Sequence, residues 1–302
     1  MADGLRRTPR QLPSKYFYDA LGSSLFDAIC RLPWYKVTRA ESALIARHAP
    51  AIVEPFGGPM SIVELGCGNG EKLEILLQSS GVPVARLHLV DISAKALDEA
   101  AVRVEHYAAD GLAAHEGTYE AGLASVSAAR RPDETMLCLF LGSNIGNFDP
   151  PAGRELLTVI RRSLRPGDGL LLGSDLVKPE RDLILAYDDP LGVTAAFNRN
   201  LLRRINDELG GAFDLAAFAH RAVWNRTQRR VEMHLVSQRR QTVRVDAAEL
   251  SLPFEAGDSI WTESSYKYEA PGIIAEGLAA GFAAGRQWVD EDARFALTRF
   301  SV

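Results

Sequence analysis

Through the middle of the chain, apolar positions alternate between two forms. Short unbroken runs close on a glycine or an acid, and stretches with apolar residues three and four apart follow them. "SIVELGCG" (61–68) reads as a buried strand entering a glycine turn, and "EKLEILLQSS" behind it has the spacing of a helix packed on a sheet. "RLHLVDIS" (86–93) is a second buried strand ending in Asp91, and "SAKALDEAAVRVEHY" is a helix that Ser93 is placed to cap. "TMLCLFLGSN" (135–144) is a third apolar strand; the helix "AGRELLTVIRRSL", the turn "RPGDG" and the strand "LLLGSDLV" (170–177) follow. Strands alternating with helices of this length predict a parallel, doubly wound sheet.

The alternation breaks after Pro179. "RDLILAYDDPLGVTAAFNRNLLRRINDELG" is helical with an interruption at Pro190, and "RRVEMHLVSQRRQTVRV" (229–245) alternates like a pair of antiparallel strands. "PGIIAEGLAAGF" (271–282) returns to helix, and "GRQWVDE" and "ARFALTRFSV" make two closing strands. The expected architecture is α/β: a Rossmann-like sheet carrying an inserted α+β domain. The sheet domain takes residues 45–177 and 268–302, while 178–267 and the N-terminal 1–44 form the second domain or lid.

Composition narrows the classes. The chain has 302 residues, 47% apolar and 24% charged, the balance of an ordinary globular protein. A formal charge of −5 gives no basic footprint for nucleic acid, and the scattered Arg-Arg pairs are interleaved with acids. Three widely spaced cysteines contain no CxxC, and six histidines no HxxxH or HExxH, so neither a disulfide framework nor a metal site is expected. No apolar h-region or membrane-length run stands out, which makes the expected location the cytoplasm, with no membrane partner.

Candidate chemistry concentrates at the strand ends. Gly66, Gly68 and Gly70 follow the first sheet strand, where glycine lets backbone approach a ligand and take positive φ. Asp91 ends the next strand, where a carboxylate can accept ribose hydroxyls. Dinucleotide loops read GxGxxG, with a helix N-terminus facing a pyrophosphate; here the spacing is GxGxG behind Glu64. That pattern suits S-adenosylmethionine, which carries no phosphate and whose carboxylate Lys72 is placed to meet, better than a nicotinamide cofactor. "LGSNIGNF" (141–148) offers Asn144 and Asn147 as side-chain amides and Gly142 as a carbonyl to an acceptor amine, although Asn147 alone would equally close a turn. Glu263, in the aromatic and β-branched "IWTESSYKY" (260–268), needs a compensating donor; an imidazole N–H or an internal arginine would serve.

Taken together, "YFYDALGSSLFDAICRLPWYKVTRAE", "ELGCGNGEK", "LGSNIGNF", "AYDDPLGVTAAFNRN", "VEMHL" and "TESSYKY" resemble, in order along the whole chain, the bacterial histidine Nα-methyltransferases of ergothioneine biosynthesis. The resemblance implies a Rossmann-like methyltransferase domain that binds S-adenosylmethionine, plus a substrate-binding domain. It implies transfer of three methyl groups to the α-amine of L-histidine, giving hercynine; the expected partner is that small molecule, and the expected state a monomer. Carried over by position, Gly66, Gly68, Lys72 and Asp91 become cofactor contacts, and Thr118 and Tyr119 in "GTYEAGL" fall at the adenine-contact segment. Asn147 and Tyr187 would hold the α-carboxylate, with Tyr18 and Gly142 beside the amine. Tyr35, Glu263 and Ser265 would surround the imidazole and Met233 would pack against it. Trp34, Lys36 and Tyr266 differ from the usual bacterial pattern. The same chemistry on another amino acid or a tryptophan derivative is the nearest alternative. A nicotinamide oxidoreductase and a non-catalytic S-adenosylmethionine sensor are more distant ones.

Overall fold

A computed structural model describes residues 1–57, 59–283 and 285–302. Along the chain the first strands are β1 (Arg10–Gln11), β2 (Met60–Leu65), β3 (Arg86–Asp91) and β4 (Leu112–Glu116). Then come β5 (Thr135–Phe140), β6 (Gly169–Asp175), β7 (Phe218–Asn225) and β8 (Arg230–Ser237). The last are β9 (Gln241–Val245), β10 (Leu250–Phe254), β11 (Ser259–Tyr266), β12 (Gly285–Asp290) and β13 (Phe295–Ser301). The chain divides into two compact units, Met1–Lys36 with Lys178–Tyr266, and Val37–Val177 with Lys267–Val302.

In the second unit the described strands form one sheet in the order β12-β13-β6-β5-β2-β3-β4. Strands β6, β5, β2, β3 and β4 run parallel; β13 pairs antiparallel with β6, and β12 pairs antiparallel with β13 at that side. β2 and β6 are buried at every position, as strands covered on both faces must be, and so read as apolar runs. Strand order reverses between β2 and β5, so the segments leaving those two strands flank the topological switch point where α/β sheets bind ligands. Helix Pro150–Ser163 covers one face with Gly153, Leu156, Leu157 and Ile160, the i, i+3, i+4, i+7 stripe. Leu156, Leu157 and Ile160 join Phe140, Leu170, Leu172 and Phe300 in the core.

The expected cap holds: Ser93 Oγ accepts from Ala96 N at 3.3 Å at the start of helix Ala94–Val104. The apolar pattern does not show strand β4, whose "LAAHE" lies at the sheet edge, only partly buried, and carries little apolar signal. Helix Val37–Val53 runs through the expected 44/45 join. It turns Val37, Ala40, Glu41, Leu44 and Ile45 inward as one continuous stripe, which moves the boundary to 36/37.

The first unit holds a small sheet, β1-β11-β8-β7, and a separate β9–β10 ladder. The alternation in 229–245 does mark two strands, but they do not pair with each other. β8 lies between β7 and β11, while β9 pairs with β10. That pairing buries Val231, Met233 and Leu235 on one face of β8. Helices Glu180–Tyr187 and Val193–Leu209, separated at Pro190 as expected, pack on β7 and β8. Among the described residues no helix is long and apolar enough to cross a membrane.

Candidate active site

The glycine turn after β2 takes left-handed backbone at Gly66, Gly68 and Gly70, with φ of +74°, +53° and +76°. Gly66 N donates to Val90 O at 2.7 Å, which ties the turn to β3. A methyl group on Gly66 would stand 2.8 Å from Asn144 Nδ2 and 3.1 Å from the Tyr119 hydroxyl, so the turn, the segment after β5 and Tyr119 converge here. Gly68 faces open space. Its N–H donates to Asp91 Oδ2 at 3.2 Å, and Ser93 N donates to Asp91 Oδ1 at 3.0 Å. Burial raises the Asp91 pKa against the pull of these amides.

Glu64 is buried, and its Oε2 meets no partner in the protein. Burial pushes its pKa up to about 8, opposed by the Lys72 charge and reinforced by Glu41 and Asp91. A buried carboxyl oxygen without a partner marks a place for a donor that the chain does not supply. The set fits S-adenosylmethionine: an orphan acid for an ammonium, a lysine for a carboxylate, a strand-end acid for ribose hydroxyls, and glycine room for close approach. Thr118 is exposed and caps helix Tyr119–Ala129, its Oγ1 accepting from Ala121 N at 3.4 Å. The Tyr119 ring packs edge-on to Phe140 at 5.2 Å. Among the described residues no group of three or more His, Cys, Asp or Glu is arranged to hold a metal.

The segment after β5 is clamped from several sides. Gly142 and Ser143 both take left-handed backbone, φ +74° and +56°. For serine that conformation is uncommon and costs energy. Ser143 Oγ accepts from Asp175 N at 2.9 Å in return. Gly142 N donates to both oxygens of Glu41, at 2.9 and 2.8 Å, and Lys72 Nζ reaches Glu41 Oε2 at 2.6 Å. Asn144–Asn147 is a 3-10 turn, and Tyr268 OH donates to Ile145 O at 3.2 Å. Beneath it Lys267 Nζ and Asp175 Oδ2 form a fully buried ion pair at 2.9 Å. Glu41, Ser143 and the Lys267–Asp175 pair were not among the residues singled out from sequence.

Within the other unit, aromatic rings connect three of the expected residues. Tyr18 packs edge-on to Phe26 at 5.7 Å, Phe26 to Tyr35 at 6.4 Å, and Tyr35 to Tyr187 at 6.2 Å. Tyr187 O–H donates to Ser265 Oγ at 2.8 Å, which joins the end of helix Glu180–Tyr187 to β11. The Tyr187 carbonyl lies 2.8 Å from His220 Nε2 on β7. Glu263 stands opposite Met233 in the β11–β8 ladder. The register shifts between Trp261 and Glu263, and Thr262 Oγ1 donates to Met233 O at 3.0 Å there. This irregularity resets the alternation and puts Glu263 and Ser265 on the face of buried Met233 and Val231. Tyr18, Tyr35, Tyr187, Met233, Glu263 and Ser265 thus belong to this unit, while Gly142 and Asn147 share the other with the expected cofactor residues.

Because Gly66 needs positive φ and has no room for a side chain, Gly66→Ala should strain the turn by about 1–2 kcal/mol. The expected result is weaker binding of S-adenosylhomocysteine by calorimetry. Unchanged affinity would show that the turn's shape is not used for the cofactor.

Comparison with known proteins agrees with this picture along the full length. Residues 1–302 match the family described as "Histidine-specific methyltransferase, SAM-dependent". The histidine N-alpha-methyltransferase of Mycobacterium tuberculosis is 41% identical over 298 residues, covering 98% of this chain and 91% of that protein. The enzyme of the same name from Mycolicibacterium smegmatis is 40% identical over the same share of each chain. Ergothioneine biosynthesis protein 1 of Neurospora crassa is 30% identical over 207 residues, 67% of this chain and 23% of that longer protein. A family match over every residue, joined to relatives at this identity across nearly the whole length, places the chain among the histidine-specific, S-adenosylmethionine-dependent methyltransferases.

Proposed function

We propose that the protein transfers methyl groups from S-adenosylmethionine to the α-amine of L-histidine, three in succession, to give hercynine for ergothioneine biosynthesis. The observation that supports the choice of histidine is the Glu263–Met233 pair beside the Tyr187–Ser265 hydrogen bond. A carboxylate set beside buried Met233 and Val231 accepts an imidazole N–H, and the thioether packs on the ring. Tyr187 and Asn147 take the α-carboxylate, Tyr18 and Gly142 serve the amine, and Tyr35 and Ser265 complete the imidazole's surroundings. Gly66, Gly68, Lys72, Asp91, Thr118 and Tyr119 take the cofactor. The protein acts as a cytoplasmic monomer, which light scattering in solution tests.

Bound S-adenosylmethionine supplies an electrophilic methyl on a sulfonium. The chain's task is to hold an amine in line with it and to exclude water, and positioning of that kind supplies most of the rate. An α-amine is largely protonated near neutral pH, so the reactive form is the minor one. No strong base is assigned; the proton leaves to solvent or through the Tyr18 hydroxyl. Because the product becomes a fixed cation, the groups facing it are carbonyl, amide and phenol oxygens.

Mass spectrometry of histidine incubated with the protein and S-adenosylmethionine tests the proposal. Species carrying one, two and three added methyls are expected. Methylation of tryptophan with none of histidine would overturn it. A second expectation follows from the free-amine requirement: kcat/KM for histidine rises as pH increases through neutrality, since deprotonation creates the nucleophile. A profile without that rising limb would mean that the amine arrives already neutral.

A further inference from the structure

We propose that Glu41 is a positioning residue that ties the cofactor lysine to the acceptor turn, so that cofactor occupancy and histidine binding become one coupled event. The inference rests on the reading of Lys72 as a cofactor contact and of Gly142 as part of the acceptor site.

Glu41 lies on the inward stripe of helix Val37–Val53, between Val37, Ala40, Leu44 and Ile45, and is 0% exposed. An acid on an apolar stripe is costly unless its charge is matched. Here one carboxylate meets two chain segments. Lys72, on helix Glu71–Ser80 directly behind the glycine turn, reaches Oε2 at 2.6 Å. Gly142, two residues beyond the end of β5, donates its N–H to both oxygens at 2.9 and 2.8 Å.

The neighbouring strand is cut away to admit that carboxylate. A Cβ on Gly173, in β6, would stand 1.8 Å from Glu41 Oε1, so only glycine leaves the space. Gly142 is equally close-fitted, since a Cβ there would lie 3.2 Å from Lys72 Nζ. Glu41, Lys72, Gly142 and Gly173 thus form one packed set within the same unit.

An ammonium offers three donors, so Lys72 is able to serve Glu41 and a second carboxylate together. A cofactor carboxylate that fixes Lys72 also fixes Glu41, and Glu41 fixes the peptide before Ser143. Histidine binding that depends on this turn is then favoured by the cofactor, and by linkage histidine favours the cofactor equally.

Calorimetry of L-histidine binding, with and without saturating S-adenosylhomocysteine, reads the coupling without turnover. Wild-type protein is expected to bind histidine at least about fivefold tighter when the nucleoside is present, the low end of typical couplings. Glu41→Gln keeps an oxygen for Gly142 N but removes the charge that holds Lys72. It should bring this ratio close to one and weaken S-adenosylhomocysteine binding alone at least about fivefold, a similar coupling lost. Gly173→Ala leaves Glu41 in the sequence but displaces its carboxylate, and should have the same two effects.

Thermal denaturation of each variant is measured alongside. A purely structural role would lower melting temperature and both affinities while leaving the ratio at its wild-type value, and that result would overturn the proposal. If wild type binds the nucleoside but no histidine, the acceptor reading has failed. The nucleoside affinity of Glu41→Gln then decides the case for Glu41 by itself, and wild-type affinity there would refute it.

Discussion

Replacing Glu263 with alanine is expected to raise the KM for histidine at least about tenfold, while leaving affinity for S-adenosylhomocysteine close to that of the wild type. A charged hydrogen-bond partner lost from a buried polar group costs about 1.5–3 kcal/mol, and each 1.4 kcal/mol is a factor of ten in binding. The strand itself should survive the change. Its local conformation is held by bonds that do not use the Glu263 side chain, with Trp261 Nε1 donating to the Glu263 carbonyl at 2.8 Å and Thr262 Oγ1 donating to the Met233 carbonyl. Glu263→Gln retains a carbonyl acceptor without the charge and should fall between wild type and alanine. Steady-state kinetics at saturating S-adenosylmethionine make the measurement. An unchanged KM in Glu263→Ala would remove this residue from the imidazole's surroundings and leave the basis of side-chain choice to Met233, Tyr35 and Ser265.

Lys267→Met should be the most destabilising of the single substitutions considered. The ammonium is 0% exposed and lies 2.9 Å from Asp175, itself 2% exposed, so removing it leaves a carboxylate buried beside an apolar side chain. Breaking such a pair from one side costs about 3–5 kcal/mol. Asp175 N also donates to Ser143 Oγ, so the acceptor turn should loosen in the same variant and activity should fall before unfolding is complete. The double substitution Lys267→Met with Asp175→Leu removes both charges and should recover much of the stability but not the activity. Urea denaturation followed by circular dichroism separates these outcomes. A single variant as stable as the double would mean that water reaches the carboxylate and satisfies it.

Much of the fold is visible in the order of apolar runs and amphipathic stretches, because strands buried on both faces read as mostly apolar runs rather than as alternation. β2 and β6 are of this kind. β4 is not: an edge strand with exposed Ala114 and Glu116 lacks the signal that marks the strands inside the sheet. Alternation in 229–245 reveals strands but says nothing about partners, since a period of two is the same whichever neighbour lies alongside. Only the distant β7, β10 and β11 decide that β8 and β9 belong to different ladders.

The candidate site is legible to a different degree at each residue. The turn Gly66–Gly70 and Asp91 announce themselves by spacing, because close approach and strand-end position are local properties. Tyr18, Tyr35 and Tyr187 are marked only by resemblance; their ring contacts join segments far apart in sequence, and no local pattern carries them. Glu41 is a case where the signal existed. It stands between Val37 and Ala40 on one side and Leu44 and Ile45 on the other, an acid in register with an apolar stripe. The strand-end position of Asp175 gives no comparable sign that Lys267 will be buried against it, because their pairing joins segments on opposite sides of the insertion.

Strand β13 occupies an interior place in its sheet, flanked by β6 and β12, yet the whole inserted segment Lys178–Tyr266 lies between β6 and β13 in the chain. On the ribosome, the edge of β6, with its unpaired N–H and C=O groups, therefore waits uncovered while every strand from β7 to β11 is made. Open strand edges recruit foreign strands, and multidomain chains misassemble at such stages. The insert finishes first and its host closes last. Poor yield at elevated growth temperature would then originate in the late-closing nucleotide sheet, and slowing translation across β7–β11 would lengthen the exposure rather than relieve it.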